Sequence, residues 1–374
     1  MVYLDNAATG GFKISAVTDA AQTVLKYLCA NPGRSGHRLS LAGAELVSAA
    51  RQAVADMFSS STDRVIFTKN CTEALNLAIF GSLKVGGHVI TTVFEHNSVL
   101  RPLITLKNKG LIDLDVISPQ DNKPFQECIA EKIKPNTYMI VATSVNNVTG
   151  YELPVSEIGK IAKERSLHFL VDGAQGGGHI PININKQNIS MLALAGHKGL
   201  CGIMGSGVLV LDDNTDLEPL LYGGTGSETF NFSQPDCYPE RLEAGTLNLP
   251  AIAALNEGVR FINDNLKNFS VHLLGTTKSI ISELHTIKNA ECFSSPNCTG
   301  IVAFKLKNLP SGEVADILNT DYDIAVRGGL HCAPLTHKYL KTDNEGLVRV
   351  SVAVQNSSRE ISYLLKAVSE IANR

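Results

Sequence analysis

The sequence contains no run of eighteen apolar residues, so it offers no candidate membrane-spanning helix. Its opening, "MVYLDNAATGG", lacks the basic start and apolar stretch of a secretory signal, and neither export nor membrane insertion is expected. Charge imbalance is also slight. A formal net charge of -3 gives no electrostatic reason for nucleic acid or a membrane surface as partner. None of the 8 cysteines sits in a C-x-x-C pair or a ligand-spaced Cys/His cluster, which argues against structural zinc and leaves metal unexpected. Mostly buried thiols in a reducing, cytoplasmic setting are expected instead. Low-complexity tracts and internal repeats are absent. So is any complete G-x-G-x-x-G or G-x-x-x-x-G-K-[ST] pattern, which lowers the prospect of a glycine-loop nucleotide-binding or regulatory module.

What is present is ample core material: 374 residues, 44% of them hydrophobic and only 18% charged. That length favours two domains, each able to bury its own core. Short runs rich in Val and Ile end abruptly in polar residues: "RVIFTKN", "HVITTVFEHN", "YMIVATSVNN", "LHFLVDGAQ" and "GVLVLDD". They read as strands of a largely parallel sheet alternating with helices, an α/β architecture. One such helix is "PVSEIGKIAKERSL", with Val155, Ile158, Ile161, Ala162 and Leu167 on one face. Ligands gather at the carboxyl ends of such strands, which singles out Thr72, Glu95, His96, Asn147, Asp172 and Gln175. After about residue 255 the pattern changes to helix, the strand candidates "GIVAFKL", "DIAVR" and "LVRVSVAV", and a final helix, suggesting a smaller α+β domain. In the last strand Val348, Val350, Val352 and Val354 share one face, with Arg349 and Ser351 on the other.

Four short stretches carry chemistry. In "LAGHKGLCGIMGSGV", Lys198 lies between a histidine and a glycine on a loop that can approach a ligand closely. In "HFLVDGAQGGGH", Asp172 ends a buried strand and needs a cationic partner or several donors. In "TKNCTEALNLAIFGSL", Asn70 and Glu73 have capping-box spacing, and the helix they open suits a phosphate, with the Thr72 hydroxyl as a further donor. In "VRGGLHCAPLTH", Cys332 stands near an arginine and two histidines. Each alone has a plainer reading: a solvated lysine, a turn aspartate, a helix cap, an inert buried thiol. Together, an amine, a strand-end carboxylate and a phosphate cradle are what pyridoxal phosphate requires.

The segments "YLDNAATG", "NPGRSGHRLS", "NCTEALN", "EHNSVL", "VNNVTG", "VDGAQ", "GHKGLCG", "LEAGTLN" and "RGGLHCAP" occur in an order that resembles the cysteine desulfurase and selenocysteine lyase family of class V, fold-type I pyridoxal-phosphate enzymes. The resemblance spans nearly the whole chain, and "RGGLHCAP" is similar to the branch with an arginine shortly before the cysteine. It implies a large PLP-binding α/β domain over residues 12–254, with residues 1–11 and 255–374 forming a small α+β domain. It implies that Lys198 is the Schiff-base lysine, Asp172 the partner of the pyridine nitrogen and Gln175 the partner of the phenolic oxygen. His96 would stack on the cofactor and assist proton transfers. Thr72, His197 and Thr246 would contact the phosphate, Thr246 from a neighbouring subunit of a homodimer. Asn147 and Arg349 would hold the substrate carboxylate, with Arg327 a second active-site arginine.

Two positions depart from the family pattern. Ala195 stands where a serine or threonine is common, so one phosphate hydroxyl is missing and weaker cofactor binding is expected. Leu330 stands where close relatives often carry a first histidine before His331. The implied reaction removes sulfur from L-cysteine, giving L-alanine and a persulfide on Cys332 for transfer to an acceptor protein. Arg327 and His331 would favour the thiolate, and Gly328 and Gly329 would let the loop move. The alternatives are action on L-selenocysteine, or an aminotransferase, epimerase or carbon–sulfur β-lyase that does not depend on Cys332.

Overall fold

A computed structural model describes residues 1–374 except Arg34 and Asn308, so Arg34 of the "NPGRSGHRLS" segment lies outside the described residues. The chain begins with a short strand β1 (Val2–Tyr3) and two helices, α1 (Ser15–Tyr27) and α2 (Arg38–Phe58). Strand and helix then alternate: β2 (Val65–Thr68), α3 (Cys71–Gly81), β3 (Gly87–Thr92), α4 (Asn97–Asn108), β4 (Ile112–Ile117), α5 (Phe125–Ala130), β5 (Thr137–Thr143) and α6 (Val155–Glu164). β6 (His168–Asp172), β7 (Met191–Ala195) and β8 (Gly207–Leu211) complete this part, followed by the 36-residue helix α7 (Leu249–Leu284). The remainder is β9 (Ala290–Cys292), β10 (Ile301–Leu306), α8 (Ser311–Tyr322), β11 (Ile324–Ala325), β12 (Arg327–Gly329), α9 (Pro334–Leu340), β13 (Leu347–Ser351) and α10 (Ser358–Ala372).

Seven strands form the main sheet in the order β2-β8-β7-β6-β5-β3-β4. Only β8 runs antiparallel to its neighbours. All five apolar runs singled out in the sequence are strands of this sheet, and two more join them. β7 is "MLALA", whose residues favour helix by propensity; burial in the middle of the sheet, every residue inaccessible, overrides that preference. β4, "IDLDVI", alternates buried and exposed residues at the edge, where one face meets water. The chain passes from β3 outward to β4, returns to β5 beside β3, and continues to β6 and β7 in the other direction. Such a reversal opens a crevice at the carboxyl ends of β3 and β5.

A second sheet, β12-β13-β10-β9, packs against α7, α8 and α10, while β1 pairs with β11 in parallel. The expected "DIAVR" strand is thus split into β11 and β12, one in each small sheet. Val348, Val350 and Val352 enter the core of this region, whereas Arg349 and Ser351 point the other way, toward Asp5, Asn147 and Ala7. Helix α7 serves both cores. Leu249, Ile252, Leu255 and Val259 pack with the main sheet, and Leu273, Ile280, Ile281 and Leu284 with the second. The expected division at 254/255 therefore falls inside one continuous helix. Among the described residues no helix is long and apolar enough to cross a membrane.

Candidate active site

The carboxyl ends of β3, β5, β6 and β7 and the start of α3 enclose a pocket lined by Thr72, His96, Asn147, Asp172, Gln175, His197 and Lys198, with Asn70, Cys71, Ser98, Thr143 and Ala195 between them. Thus seven of the eleven residues proposed from sequence meet in one place. Their positions follow from local structure. Asn70 caps α3, its Oδ1 accepting the Glu73 amide at 2.9 Å. The reciprocal half of the expected capping box is displaced, since Glu73 reaches back to the Lys69 amide. The Ala74 amide bonds the Asn70 carbonyl, which leaves the Cys71 and Thr72 amides at the helix mouth without a protein partner among the described residues. A helix terminus of this kind, with the Thr72 hydroxyl 2.8 Å from Ser98 Oγ, is a ready anion cradle. His96 is the N-cap of α4, its Nδ1 accepting the Ser98 amide at 3.1 Å.

Asp172 ends β6. Its Oδ1 accepts the Ala174 amide at 2.9 Å and faces Cys71 Sγ at 3.6 Å. Its other oxygen has no partner among the described residues, a carboxylate arranged to receive a cationic or N–H donor. Burial lowers the Lys198 ammonium, against the opposing pull of Cys71 and Asp172, and so favours the neutral, nucleophilic amine. Burial likewise lowers His96, with Asp172 pulling the other way, and His197 is pushed down to about 4 by burial and by Lys198 and Lys13. Both imidazoles are neutral at pH 7. Ala195, at the end of β7, adds no hydroxyl to the pocket. The helix-mouth amides, the open Asp172 oxygen and Lys198, shifted by burial toward its neutral form, fit a phosphate-bearing pyridine aldehyde.

Cys332, Arg327 and Arg349 are joined to this pocket through Asn147 and the start of α4. Asn147 Nδ2 donates to the His331 carbonyl at 2.7 Å, and the Asn97 amide donates to the Cys332 carbonyl at 2.8 Å. Arg327 Nη2 lies 3.9 Å from the exposed Cys332 sulfur. Arg349 is 1% exposed; its Nη1 donates to the Asn147 carbonyl at 2.9 Å and its Nη2 pairs with Asp5 at 2.8 Å, while Nε has no partner. Asp5 is a functional candidate that sequence reasoning missed, although it stands in the quoted "YLDNAATG". That same N-terminal segment closes over the site, with Gln175 donating to the Ala7 carbonyl at 3.0 Å and His197 Nδ1 3.0 Å from Thr9 Oγ1. Thr246 does not line this pocket; it is exposed on a separate groove with Phe67, Leu220 and Leu221.

Three expectations need correction. His331 does not supply positive charge beside Cys332, because burial, with Arg349 adding to it, pushes its ring down to about 3. Its Nε2 lies 3.2 Å from the Arg327 carbonyl and steadies that backbone instead. The glycines before Cys332 do not form a free hinge: Gly328 is paired within a sheet, and a Cβ there would stand 2.4 Å from the Ser311 carbonyl oxygen. Nor are most cysteines buried. Cys71, Cys128 and Cys201 are, whereas Cys29, Cys237 and Cys332 are exposed and Cys292 and Cys298 intermediate; all eight are free thiols.

The sequence is similar to a probable cysteine desulfurase of Methanothermobacter thermautotrophicus, 31% identical over 99% of this chain and 94% of that one. A probable cysteine desulfurase of Pyrococcus abyssi is 32% identical over the same shares. Among solved structures, the apo cysteine desulfurase of Thermococcus onnurineus superposes with a TM-score of 0.93 at 32% identity, covering 100% of this chain and 94% of that one. The cysteine desulfurase CsdA of Escherichia coli superposes at 0.89 and 25% identity, covering 99% and 94%. Residues 2–364 match the class-V aminotransferase family, and with the match running through all three sheets and the pocket, the chain belongs to that family.

Proposed function

We propose that this protein is a pyridoxal-phosphate-dependent cysteine desulfurase that takes sulfur from L-cysteine onto Cys332 and releases L-alanine. The observation that carries the reading is an exposed thiol with a guanidinium 3.9 Å away, docked by two hydrogen bonds on the pocket that holds Lys198 and Asp172. When bound, the cofactor supplies the carbonyl that takes up the substrate amine and the ring that holds electrons released at Cα. Lys198, its pKa lowered by burial toward the nucleophilic amine, would hold the cofactor and move a proton at Cα. Asp172 would partner the ring nitrogen, Gln175 the phenolic oxygen and neutral His96 the ring, while Thr72, His197 and the α3 amides would hold the phosphate.

Arg349 offers its free Nε to the substrate carboxylate beside Asn147, with Arg327 near the reacting sulfur. The Cys332 thiolate forms an S–S bond as the substrate Cβ–S bond breaks; that bond's electron pair stays with Cβ, which takes a proton. Sulfur leaves the persulfide for a thiol-bearing acceptor. Thr246, exposed and away from its own chain's pocket, completes the phosphate site of a second copy in a homodimer.

The test is to incubate the cofactor-loaded protein with L-cysteine and a reductant and to quantify alanine and sulfide together. Equal yields that fall by more than about 100-fold in Cys332→Ala are expected, the scale of removing a nucleophile whose role no neighbour can assume. Pyruvate in place of alanine, or an active Cys332→Ala, would give the site to a β-lyase or aminotransferase.

A further inference from the structure

Beneath the pocket lies a carboxyl group that the proposed reaction does not use. Glu95 is 0% exposed, in the turn between β3 and the N-cap His96. Its Oε1 accepts the Thr92 hydroxyl at 2.5 Å and the Thr143 amide at 3.0 Å. Thr92 Oγ1 also accepts the Phe94 amide at 3.1 Å, so one carboxyl oxygen ties the corner leading to His96 onto the end of β5, close to Asn147. Glu95 Oε2 has no partner. Among the described residues no lysine, arginine or histidine pairs with this side chain. The charged group acting on it is Asp172 at the end of β6, and His96, next in the chain, is neutral.

We propose that Glu95 is a positioning residue: an un-ionised carboxylic acid that braces the His96 corner against β5. A buried carboxylate without a cation carries a large desolvation penalty. Burial, opposed by the two hydrogen bonds and assisted by Asp172, raises the Glu95 carboxyl to about 8. The sign of the linkage follows. The fold keeps a proton that the unfolded chain releases near 4.5, so this group lowers stability progressively as pH rises from 4.5 to about 8, and no further above it. The role toward His96 rests on the desulfurase reading; the protonation state does not.

The full-length chain is compared with Glu95→Gln and Glu95→Ala. The melting temperature of Glu95→Gln relative to the parent is expected to climb as pH goes from about 5 to about 8 and then level off, because glutamine has no proton to lose. With cofactor bound, Glu95→Gln is expected to stay within about threefold of the parent rate, whereas Glu95→Ala loses about tenfold or more in kcat with little change in KM. A melting difference independent of pH overturns the neutral acid, and equal impairment of both variants overturns the bracing role. If Glu95→Ala does not fold, the pH series and the Glu95→Gln rate still decide. If the parent makes no alanine from cysteine, the desulfurase reading falls while the melting series still judges Glu95.

Discussion

His331 and Cys332 are adjacent, both with left-handed backbone (φ 51° and 58°), yet the thiol is exposed and the imidazole 3% exposed. The strained pair turns the sulfur outward while burying the ring against His337, with which it stacks at 5.8 Å. The buried ring has a consequence for acid stability. The unfolded chain binds a proton near pH 6.5 that the folded His331 refuses until about 3, so stability is lost as pH falls through that window. At about pH 5 the loss from this group is about 2 kcal/mol. Denaturant melts of His331→Gln from pH 7 to 4 are expected to show a flatter decline than the parent; an unchanged slope would mean that the ring titrates normally. Asp5 shows the other side of residue-scale accounting. It pairs with the nearly inaccessible Arg349, and Asp5→Ala is expected to cost about 3 kcal/mol in denaturant unfolding, the scale of stranding a buried charge.

Among elements, β12 carries most consequence per residue. Its three residues, Arg327–Gly329, pair with β13 and set Arg327 opposite Arg349. Gly328 is required there by contact with the Ser311 backbone, not by loop freedom. Gly328→Ala is expected to destabilise the chain by about 1–3 kcal/mol and to lower alanine formation, through displacement of Arg327; a variant with unchanged melting and rate would contradict this. The same element shows why local pattern reading stops short. Valine alternation in "LVRVSVAV" announced a strand and its two faces, because period 2 is a local property. The break between β11 and β12 was not legible, since it depends on which strand lies alongside. β7 escaped for a related reason: its Met, Leu and Ala become a strand only because β6 and β8 flank them on either side.

At the scale of the whole molecule, the N-terminal segment, the β3/β5 crevice and the small sheet converge on one pocket, with residues separated by more than 300 positions in direct contact, as in Arg349 with Asp5. Thr246 lies outside that convergence, on a groove with Leu220 and Leu221, and the preceding segment also exposes Tyr222, Phe230 and Phe232. If Thr246 serves a second copy, mixing Lys198→Ala chains with Thr246→Arg chains restores activity, since each hybrid dimer holds one site with both residues intact. Recovery of up to about one quarter of parental activity is expected in a random mixture, half of its dimers being hybrids with one intact site each. No recovery despite proven exchange of chains would overturn the shared site.

The sequence by itself determined the parallel α/β plan, the strand ends that carry His96, Asn147 and Asp172, and the class of chemistry, because hydrophobic period, turn residues and the order of short motifs are written locally. Tertiary structure alone decided the charge states and partners. Whether Lys198 is neutral, whether His331 can be a cation, what Arg349 is paired with and where Glu95 keeps its proton all depend on desolvation and on neighbours brought from distant parts of the chain. These are properties of an enclosed volume, and no stretch of sequence contains one.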